Sequence, residues 1–125
     1  MRYERKVAKA LADMEHQWLK RNAWFEYEEK DNAKKKLCSP DILALHDGTL
    51  YIIEVKRSAL VAAYDKLDTL YAPVVRLAFP SATSIKTVQV FKYLTSATLI
   101  YRPVKALPEI FNARNPEQFG VHWLG

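Results

Sequence analysis

Three residues of this sequence, Asp41, Glu54 and Lys56, have types and spacing suited to chemistry if a hairpin folds them onto one face of a sheet. Directly opposed residues of an antiparallel pair hold their Cβ atoms about 5 Å apart, where two carboxylates repel by about 3 kcal/mol at an effective dielectric of 20. A divalent cation converts that repulsion into attraction, because Mg²⁺ takes one or two protein carboxylates and fills its other positions with water and phosphate oxygens. Lys56 would then orient or help deprotonate a metal-bound water, or neutralise charge on the attacked phosphate. The three residues therefore favour metal-dependent cleavage of a phosphodiester.

A tight turn at Asp47-Gly48 would fix the pairing of the two strands that carry these residues. Asp-Gly between two apolar runs is a strong hairpin signal, because both central residues of a type I′ turn need positive φ. With these two residues as the loop, His46 faces Thr49, and counting back along both strands places Asp41 directly opposite Glu54. The residue two positions beyond Glu54 shares its face. The predicted hairpin spans about 41–57.

Pro40-Asp41, followed by Glu54-Val55-Lys56 at the end of the second hairpin strand, resembles the signature of the PD-(D/E)xK nuclease superfamily, which includes restriction endonucleases and Holliday-junction resolvases. The resemblance covers roughly the first 90 residues by the order of elements. It implies that Asp41 and Glu54 bind Mg²⁺, which Mn²⁺ would replace, and that the Val55 carbonyl adds a ligand. It also implies that Lys56 assists the nucleophile.

The segment 3–21 has apolar residues at helical spacing and predicts an amphipathic helix that carries two acids of interest. Glu4 shares the buried stripe with Val7, whereas Glu15 flanks that stripe, and either would reach a metal at the end of the sheet. Superfamily members often place a glutamate on this helix near the active site, and Tyr3-Glu4-Arg5 is similar to the helix start of the resolvases. We count Glu15 as the catalytic candidate and keep Glu4 as the alternative. A solvated helix charge is the competing explanation for each.

Basic residues give the chain a net charge of +5 and a pI near 9.3, and the excess is concentrated rather than evenly spread. After a short strand predicted over 23–28, a polar loop leads into Lys34, Lys35 and Lys36, just upstream of Asp41. A phosphate backbone drawn to the cation would meet these lysines as point charges suited to a nonspecific grip. Lys66, on the following helix, would help to neutralise a phosphate. A solvated basic surface explains the same charges equally well.

The remaining elements follow the order expected of the nuclease core. A helix begins at Ser58, a good N-cap, and runs to about Tyr71, after which Pro73 kinks it or starts a second helical piece that ends before Pro80. A strand over 87–91 returns parallel to the hairpin, and a further strand is predicted over 97–101. The predicted fold is α/β with a restriction-endonuclease-like core, in which helices flank a central mixed sheet in the order αβββαβ plus a further edge strand.

One departure from the superfamily pattern lies on the predicted second helix. In exonuclease branches a glutamine followed by a tyrosine marks this helix, whereas the comparable stretch from Lys66 to Tyr71 contains no glutamine. This difference disfavours a processive exonuclease.

The length of 125 residues predicts one nuclease-like domain over 1–125, with a core of about 3–102 and an irregular extension over 103–125. That extension is apolar and would cover a sheet edge or form a dimer contact. The single cysteine, Cys38, excludes an internal disulfide and predicts a reducing, cytoplasmic setting. No apolar run reaches the length of a membrane span, and the N-terminus lacks the apolar region of a signal peptide, so no membrane association is expected.

The leading prediction is a Mg²⁺-dependent DNA endonuclease. So short a chain leaves little room for a separate recognition domain, which favours backbone shape, as in branched or flapped DNA, over base sequence as the target. A branched substrate would favour a homodimer that makes two symmetric cuts. Two alternatives stay open: a catalytically inert nucleic-acid-binding or assembly module that retains the fold, and a small toxin or defence component that acts only with a partner protein.

Overall fold

The computed structural model describes residues 2–12, 18–29, 32–82, 84–95 and 101–125. These residues form a mixed α/β fold with a six-stranded central sheet in the order β1-β4-β5-β6-β8-β7 and a separate two-stranded sheet, β2-β3. The strands are β1 (Trp18–Arg21), β2 (Phe25–Glu29), β3 (Asn32–Cys38), β4 (Ile42–His46), β5 (Thr49–Ser58), β6 (Ser84–Tyr93), β7 (Tyr101–Pro103) and β8 (Gln118–His122). The helical elements are α1 (Arg2–Ala12), α2 (Val61–Lys66), a π-helical turn (Leu67–Tyr71), α3 (Ala72–Ala78) and a 3-10 turn (Leu107–Phe111).

The hairpin β4-β5 has the predicted turn and register. Asp47 and Gly48 have φ values of 49° and 80°, as a type I′ turn requires, and His46 pairs with Thr49. The antiparallel pairing continues without a shift to Ile42 opposite Ile53. β5 then pairs in parallel with β6, which confirms the predicted return strand, and the helical segment 61–78 makes the crossover between them.

The side chains of alternating β5 residues pack into two separate cores, one on each face of the sheet. Ile53 and Val55 pack in the cluster that includes Val7 and Leu11 of α1. Ile52 packs on the other face, in the cluster that includes the helical residues Leu67, Tyr71 and Val75. Because residues two apart in a strand share a face, Glu54 follows Ile52 onto the side of the sheet that the helical segment covers.

The predicted helix over 3–21 is wrong over Trp18–Arg21, which forms the edge strand β1, and residues 13–17 lie outside the described part of the chain. This strand pairs antiparallel with β4, from Trp18 opposite Leu45 to Arg21 opposite Ile42. Pairing with β4 gives the backbone N–H and C=O groups hydrogen-bond partners in the protein, whereas at the end of a solvated helix such groups would bond to water. Asn22, which follows this strand, has a positive φ of 53°.

The predicted polar loop that carries the lysine triplet is also wrong, because Lys34, Lys35 and Lys36 lie in strand β3. β3 pairs with β2 in a sheet apart from the central one, so the predicted strand over 23–28 is not part of the central sheet. The register sets Glu28 directly opposite Lys35, and such opposite charges stabilise a cross-strand pair.

The second helix begins later than predicted, at Val61, and Ser58 is the last residue of β5 rather than the N-cap. Pro73 stands in the first turn of α3, which ends at Ala78, so the prediction of a second helical piece before Pro80 is confirmed. A π-helical turn joins α2 to α3. No described helix is long and apolar enough to cross a membrane.

The C-terminal segment is not the irregular extension that was predicted. Its strand β8 lies between β6 and β7 and pairs in parallel with both, and Phe119 and Val121 are buried against the α1 face of the sheet. Of the predicted strand over 97–101, residues 97–100 lie outside the described part of the chain, and Tyr101 begins the edge strand β7. The segment therefore builds part of the sheet.

Candidate carboxylate site at the β4-β5 hairpin

Asp41 and Glu54 meet where β4 begins and β5 passes beside it. The backbone N–H of Asp41 donates a hydrogen bond to Glu54 Oε1 at 3.1 Å. The backbone N–H of Val55 in turn donates to Asp41 Oδ2 at 2.8 Å. These reciprocal bonds extend the hairpin by one step past its last paired residues, and they hold the two carboxylates side by side as the register predicts.

Glu54 is the most deeply buried acid of this site, with 4% of its surface exposed. Burial, together with the negative charge of Asp41, raises the pKa of Glu54 from 4.5 to about 7. Burial also raises the pKa of Asp41, although its hydrogen bond from Val55 acts in the opposite direction. The protein thus holds two carboxylates in surroundings that penalise their negative charge.

Lys56 lies on the same face, with its Nζ 3.9 Å from Glu54 Oε2 and 37% of its side chain exposed. At that distance the pair is a loose ion pair rather than a hydrogen bond. Its positive charge lowers the pKa values of both Asp41 and Glu54, but less than burial raises them. Lys56 therefore compensates the two acids incompletely and keeps an amine available to solvent.

Lys66 approaches the two acids from the helical segment, together with Tyr71. Lys66 Nζ lies 5.1 Å from the centroid of the Tyr71 ring, and a hydrogen bond with this tyrosine is the largest cause that raises the pKa of Lys66. The charge of Lys66 also lowers the pKa values of Asp41 and Glu54. Tyr71 itself donates a long hydrogen bond, 3.4 Å, to the Ser39 carbonyl. Lys66 and Tyr71 thus form the helical wall of the site.

The π-helical turn explains why these two residues act together. In an α-helix, residues five apart lie on different faces, but the i→i+5 hydrogen bonds of a π-helix bring them closer to one face. The turn Leu67–Tyr71 directly follows Lys66. Sequence reasoning found Lys66 but missed Tyr71, which it treated as a core residue at ordinary helical spacing.

Of the two candidate acids on the first helix, the described residues include only Glu4, because Glu15 lies outside them. The charge of Glu4 raises the pKa of Asp41, which places Glu4 within electrostatic reach of the site. Its Oε1 accepts a hydrogen bond from Arg21 at 3.4 Å, and 16% of its side chain is exposed. Glu4, the alternative in the sequence analysis, therefore lies near enough to Asp41 to act on its charge, and the role of Glu15 stays a prediction.

Of the other residues predicted for the site, Val55 contacts Asp41 through its backbone, and the three lysines lie in the separate β2-β3 sheet. Val55 supplies its N–H to Asp41, while its side chain is part of the core on the α1 face; the role of its carbonyl as a ligand stays a prediction. Lys34, Lys35 and Lys36 lie on β3, where glutamates of β2 share the hairpin with them. Their role in nucleic-acid binding also stays a prediction.

Gln89 is a site neighbour that sequence reasoning missed. It lies directly beside Glu54 in the parallel β5-β6 register and is fully buried. Its side-chain amide donates to the Leu60 carbonyl at 2.9 Å and accepts from the Leu60 N–H at 2.9 Å. Gln89 therefore ties the start of α2, the element that carries Lys66, to the sheet next to Glu54. A glutamine inside the apolar run 87–91 was the signal available in the sequence.

We expect the free energy of unfolding to fall as the pH rises from about 4.5 to 7, because the folded state retains a proton on Glu54 that the unfolded state has lost. A pKa difference of this size corresponds to about 3 kcal/mol. Glu54→Gln should remove most of this dependence and make the metal-free protein more stable than the parent at pH 8. Urea unfolding at several pH values checks this, with the exposed Glu117→Gln as the matched control. Equal pH profiles for the parent and Glu54→Gln would contradict it.

The donors at this site fit a hard divalent cation. Two carboxylates are a sufficient protein contribution for Mg²⁺, which keeps water or phosphate oxygens in its remaining positions. Each acid uses one oxygen in the reciprocal backbone bonds, which leaves Asp41 Oδ1 and Glu54 Oε2 for another partner. Within the described ranges, no group of three or more histidines, cysteines, aspartates or glutamates could hold a metal ion. The pair could therefore contribute at most these two carboxylate groups to a cation.

The chain matches no protein-family model, no curated protein and no solved structure. The case for its function therefore depends on the geometry and chemistry of the site itself.

Proposed function

We propose that this protein is a Mg²⁺-dependent DNA endonuclease with a restriction-endonuclease-like core. The observation that carries the proposal is the pair formed by half-buried Asp41 and buried Glu54, held side by side with raised pKa values and with Lys56 3.9 Å from Glu54. Such a pair is costly for a fold that does not use it, because each charge opposes the other in a poorly solvated place. The resemblance of Pro40-Asp41 and Glu54-Val55-Lys56 to the PD-(D/E)xK signature supports the same proposal.

In this proposal each residue has a role that follows from its position. Asp41 and Glu54 hold the cation through the oxygens that their backbone bonds leave unused. When bound, Mg²⁺ supplies Lewis acidity toward a phosphodiester and lowers the pKa of a coordinated water. Lys56, half exposed beside Glu54, orients the attacking water or neutralises charge on the phosphate. Lys66, fixed by Tyr71, contributes a second positive charge from the helical wall.

We infer that the substrate is recognised mainly through its backbone. The chain has a net charge of +5, and phosphate contacts by lysine and arginine position a nucleic acid without reading its sequence. Branched or flapped DNA is the substrate class that this mode favours, and a branched substrate favours a homodimer with two symmetric cuts. The single cysteine, Cys38, is buried and free, in keeping with a reducing, cytoplasmic setting.

A second candidate is an inert nucleic-acid-binding or assembly module that retains the fold. The observation in its favour is that Glu4, the described acid of α1, pairs with Arg21, and no described group of three acids or other metal-binding side chains forms around Asp41. In that case Glu54 would be kept protonated rather than metal-bound, as its raised pKa allows near neutral pH.

We expect millimolar Mn²⁺ or Mg²⁺ to raise the melting temperature of the parent at pH 8. A cation present at 100 times its Kd stabilises the folded state by about 2.7 kcal/mol, which is several degrees for a chain of this size. The shift should be lost in Asp41→Ala and kept in the control Glu117→Gln. At pH 6 it should be smaller, because protons then compete for Glu54. A shift that is absent in the parent, or unchanged in Asp41→Ala, would favour the inert module.

A further inference from the structure

A charged pocket, separate from the carboxylate pair, lies at the same end of the sheet and on its opposite face. It has a volume of about 300 Å³ and is lined by Arg2, Tyr3, Lys6, Arg57 and Lys92. Four of these five residues are cationic and none is acidic. We call this the α1 pocket, because three of its residues belong to the first turns of that helix.

The four cations are not there to satisfy acids of the fold. Among the described residues, none of them has a carboxylate within ion-pair distance. Lys92 Nζ lies 5.6 Å from the centroid of the Tyr93 ring, a cation–π contact rather than an ion pair. Arg2 is moreover the first residue of α1, where the positive end of the helix dipole disfavours a cation and favours an anion. Four unpaired positive charges around one cavity are a site for a polyvalent anion.

The walls of this pocket are held in place before any ligand arrives. The Tyr3 hydroxyl donates to the Trp123 carbonyl at 2.6 Å, which fastens the first turn of α1 to the segment after β8. The Lys92 carbonyl accepts a hydrogen bond from His122 Nε2 at 2.9 Å, and the backbone around Arg57 and Lys92 belongs to paired parallel strands. A site on paired strands and an anchored helix loses little freedom when it binds.

The pocket and the carboxylate site are neighbours through the chain itself. Lys56 pairs with Phe91 and Ser58 with Tyr93, so Arg57 is level with Lys92 between these two pairs. Consecutive strand residues point to opposite faces, and their Cα atoms are about 3.8 Å apart. The Lys56 side chain therefore lies on the carboxylate face of the sheet, and the Arg57 side chain lies on the face of the α1 pocket. A strand of nucleic acid that crosses this end of the sheet would meet both.

We propose that the α1 pocket binds a phosphate group of the nucleic acid, as an anchor separate from the cation and the carboxylates. The inference rests on the proposed function for the identity of the ligand, but not for the presence of an anion site. Arginine and lysine together suit this ligand, because guanidinium groups bind phosphate oxygens in pairs and ammonium groups add point charges. The phosphate is either an internal diester or a terminal 5′ monoester, and the experiment separates the two.

The test is DNA binding measured by fluorescence anisotropy in EDTA, where no cleavage takes place. Arg57→Gln/Lys92→Gln should weaken binding about tenfold at 0.1 M salt and lower the slope of log K against log salt by about 1, the value for one lost phosphate contact. The matched control Arg76→Gln/Lys105→Gln removes one exposed arginine and one exposed lysine elsewhere and should change both quantities much less. Arg57→Lys/Lys92→Arg, which keeps the charges, should restore most of the affinity.

Three DNA substrates identify the bound group: a closed circle, and linear duplexes that carry a 5′-phosphate or a 5′-hydroxyl. A loss on all three assigns an internal diester, and a loss confined to 5′-phosphorylated ends assigns the terminal monoester. Pocket and control variants that bind alike on every substrate, or a parent that binds none of them, would overturn the proposal. Failure of the proposed function has a different signature, since pocket-dependent binding in EDTA would then persist while Asp41→Ala leaves any cleavage unchanged.

Discussion

Asp41→Asn and Glu54→Gln should each reduce Mg²⁺-dependent DNA cleavage by at least about 10³-fold, because either change removes one of the two carboxylates that hold the cation. A metal ion stabilises transition-state charge by several kcal/mol, and each 1.36 kcal/mol corresponds to a factor of ten in rate. Both substitutions keep the shape of the side chain, and an amide oxygen at position 54 can still accept from the Asp41 N–H, as Glu54 Oε1 does at 3.1 Å. The loss should therefore occur in a folded protein.

The measurement is single-turnover cleavage of plasmid, linear and branched DNA with Mg²⁺ and with Mn²⁺. Glu117→Gln, an exposed acid at the opposite end of the parallel strands, is the matched control and should cut like the parent. DNA binding in EDTA should persist in both site variants or tighten, since each removes a negative charge that repels phosphate. A Glu54→Gln protein that is folded and cuts as fast as the parent would rule out the proposed role of this acid.

Lys56→Met should lower the rate of the chemical step by about 10²–10³-fold, the usual loss when one charge-stabilising donor is removed from an active site. The Lys56 Nζ is 3.9 Å from Glu54 Oε2 and partly exposed, so it can reach a bound phosphate without leaving the site. Because Lys56 carries no metal-binding oxygen, the Mn²⁺-dependent rise in melting temperature should remain. This combination separates a role in the reaction from a role in holding the cation.

Two further variants complete the test of Lys56. Lys56→Arg keeps the charge and should recover part of the rate, although the planar guanidinium will not occupy the position of the ammonium. Lys20→Met removes an exposed lysine from β1 and should leave the rate close to that of the parent. Equal single-turnover rates for Lys56→Met and the parent would contradict the assignment.

Local chemistry made the centre of the site predictable from the sequence. The turn at Asp47-Gly48 requires two positive φ values that these residues tolerate well, so it fixes the hairpin register from within a short segment. Once that register is known, counting residues back from the turn along both strands places Asp41 opposite Glu54. The same reasoning gave the parallel return of β6, because a helical crossover leaves few other arrangements.

Pairing between distant segments was the part that the sequence could not supply. Trp18–Arg21 continues the helical spacing of α1, yet it becomes a strand because β4 offers it a partner about 25 residues away. The lysine-rich segment looks like a solvated loop until β2 is placed opposite it. β8 is a short strand with a glycine in its middle, and only its position between β6 and β7 makes it part of the sheet.

The residues that surround the two acids could not be predicted from the sequence for a similar reason. Tyr71 joins Lys66 because of a π-helical turn, and a helix with regular α-helical spacing would separate them. Gln89 caps the start of α2 across the sheet, in place of the Ser58 that local sequence preference selects. Glu4, the acid of α1 as described, lies within electrostatic reach of Asp41, whereas Glu15 lies outside the described residues.

Crystals grown with Mn²⁺ at pH 8 would reveal a bound cation through their anomalous difference density. We expect a manganese peak in contact with carboxylate oxygens of both Asp41 and Glu54, and no such peak in crystals of Asp41→Asn. Crystals of the parent that show no manganese at this place, with Asp41 and Glu54 still engaged only by the backbone N–H groups of Val55 and Asp41, would contradict it.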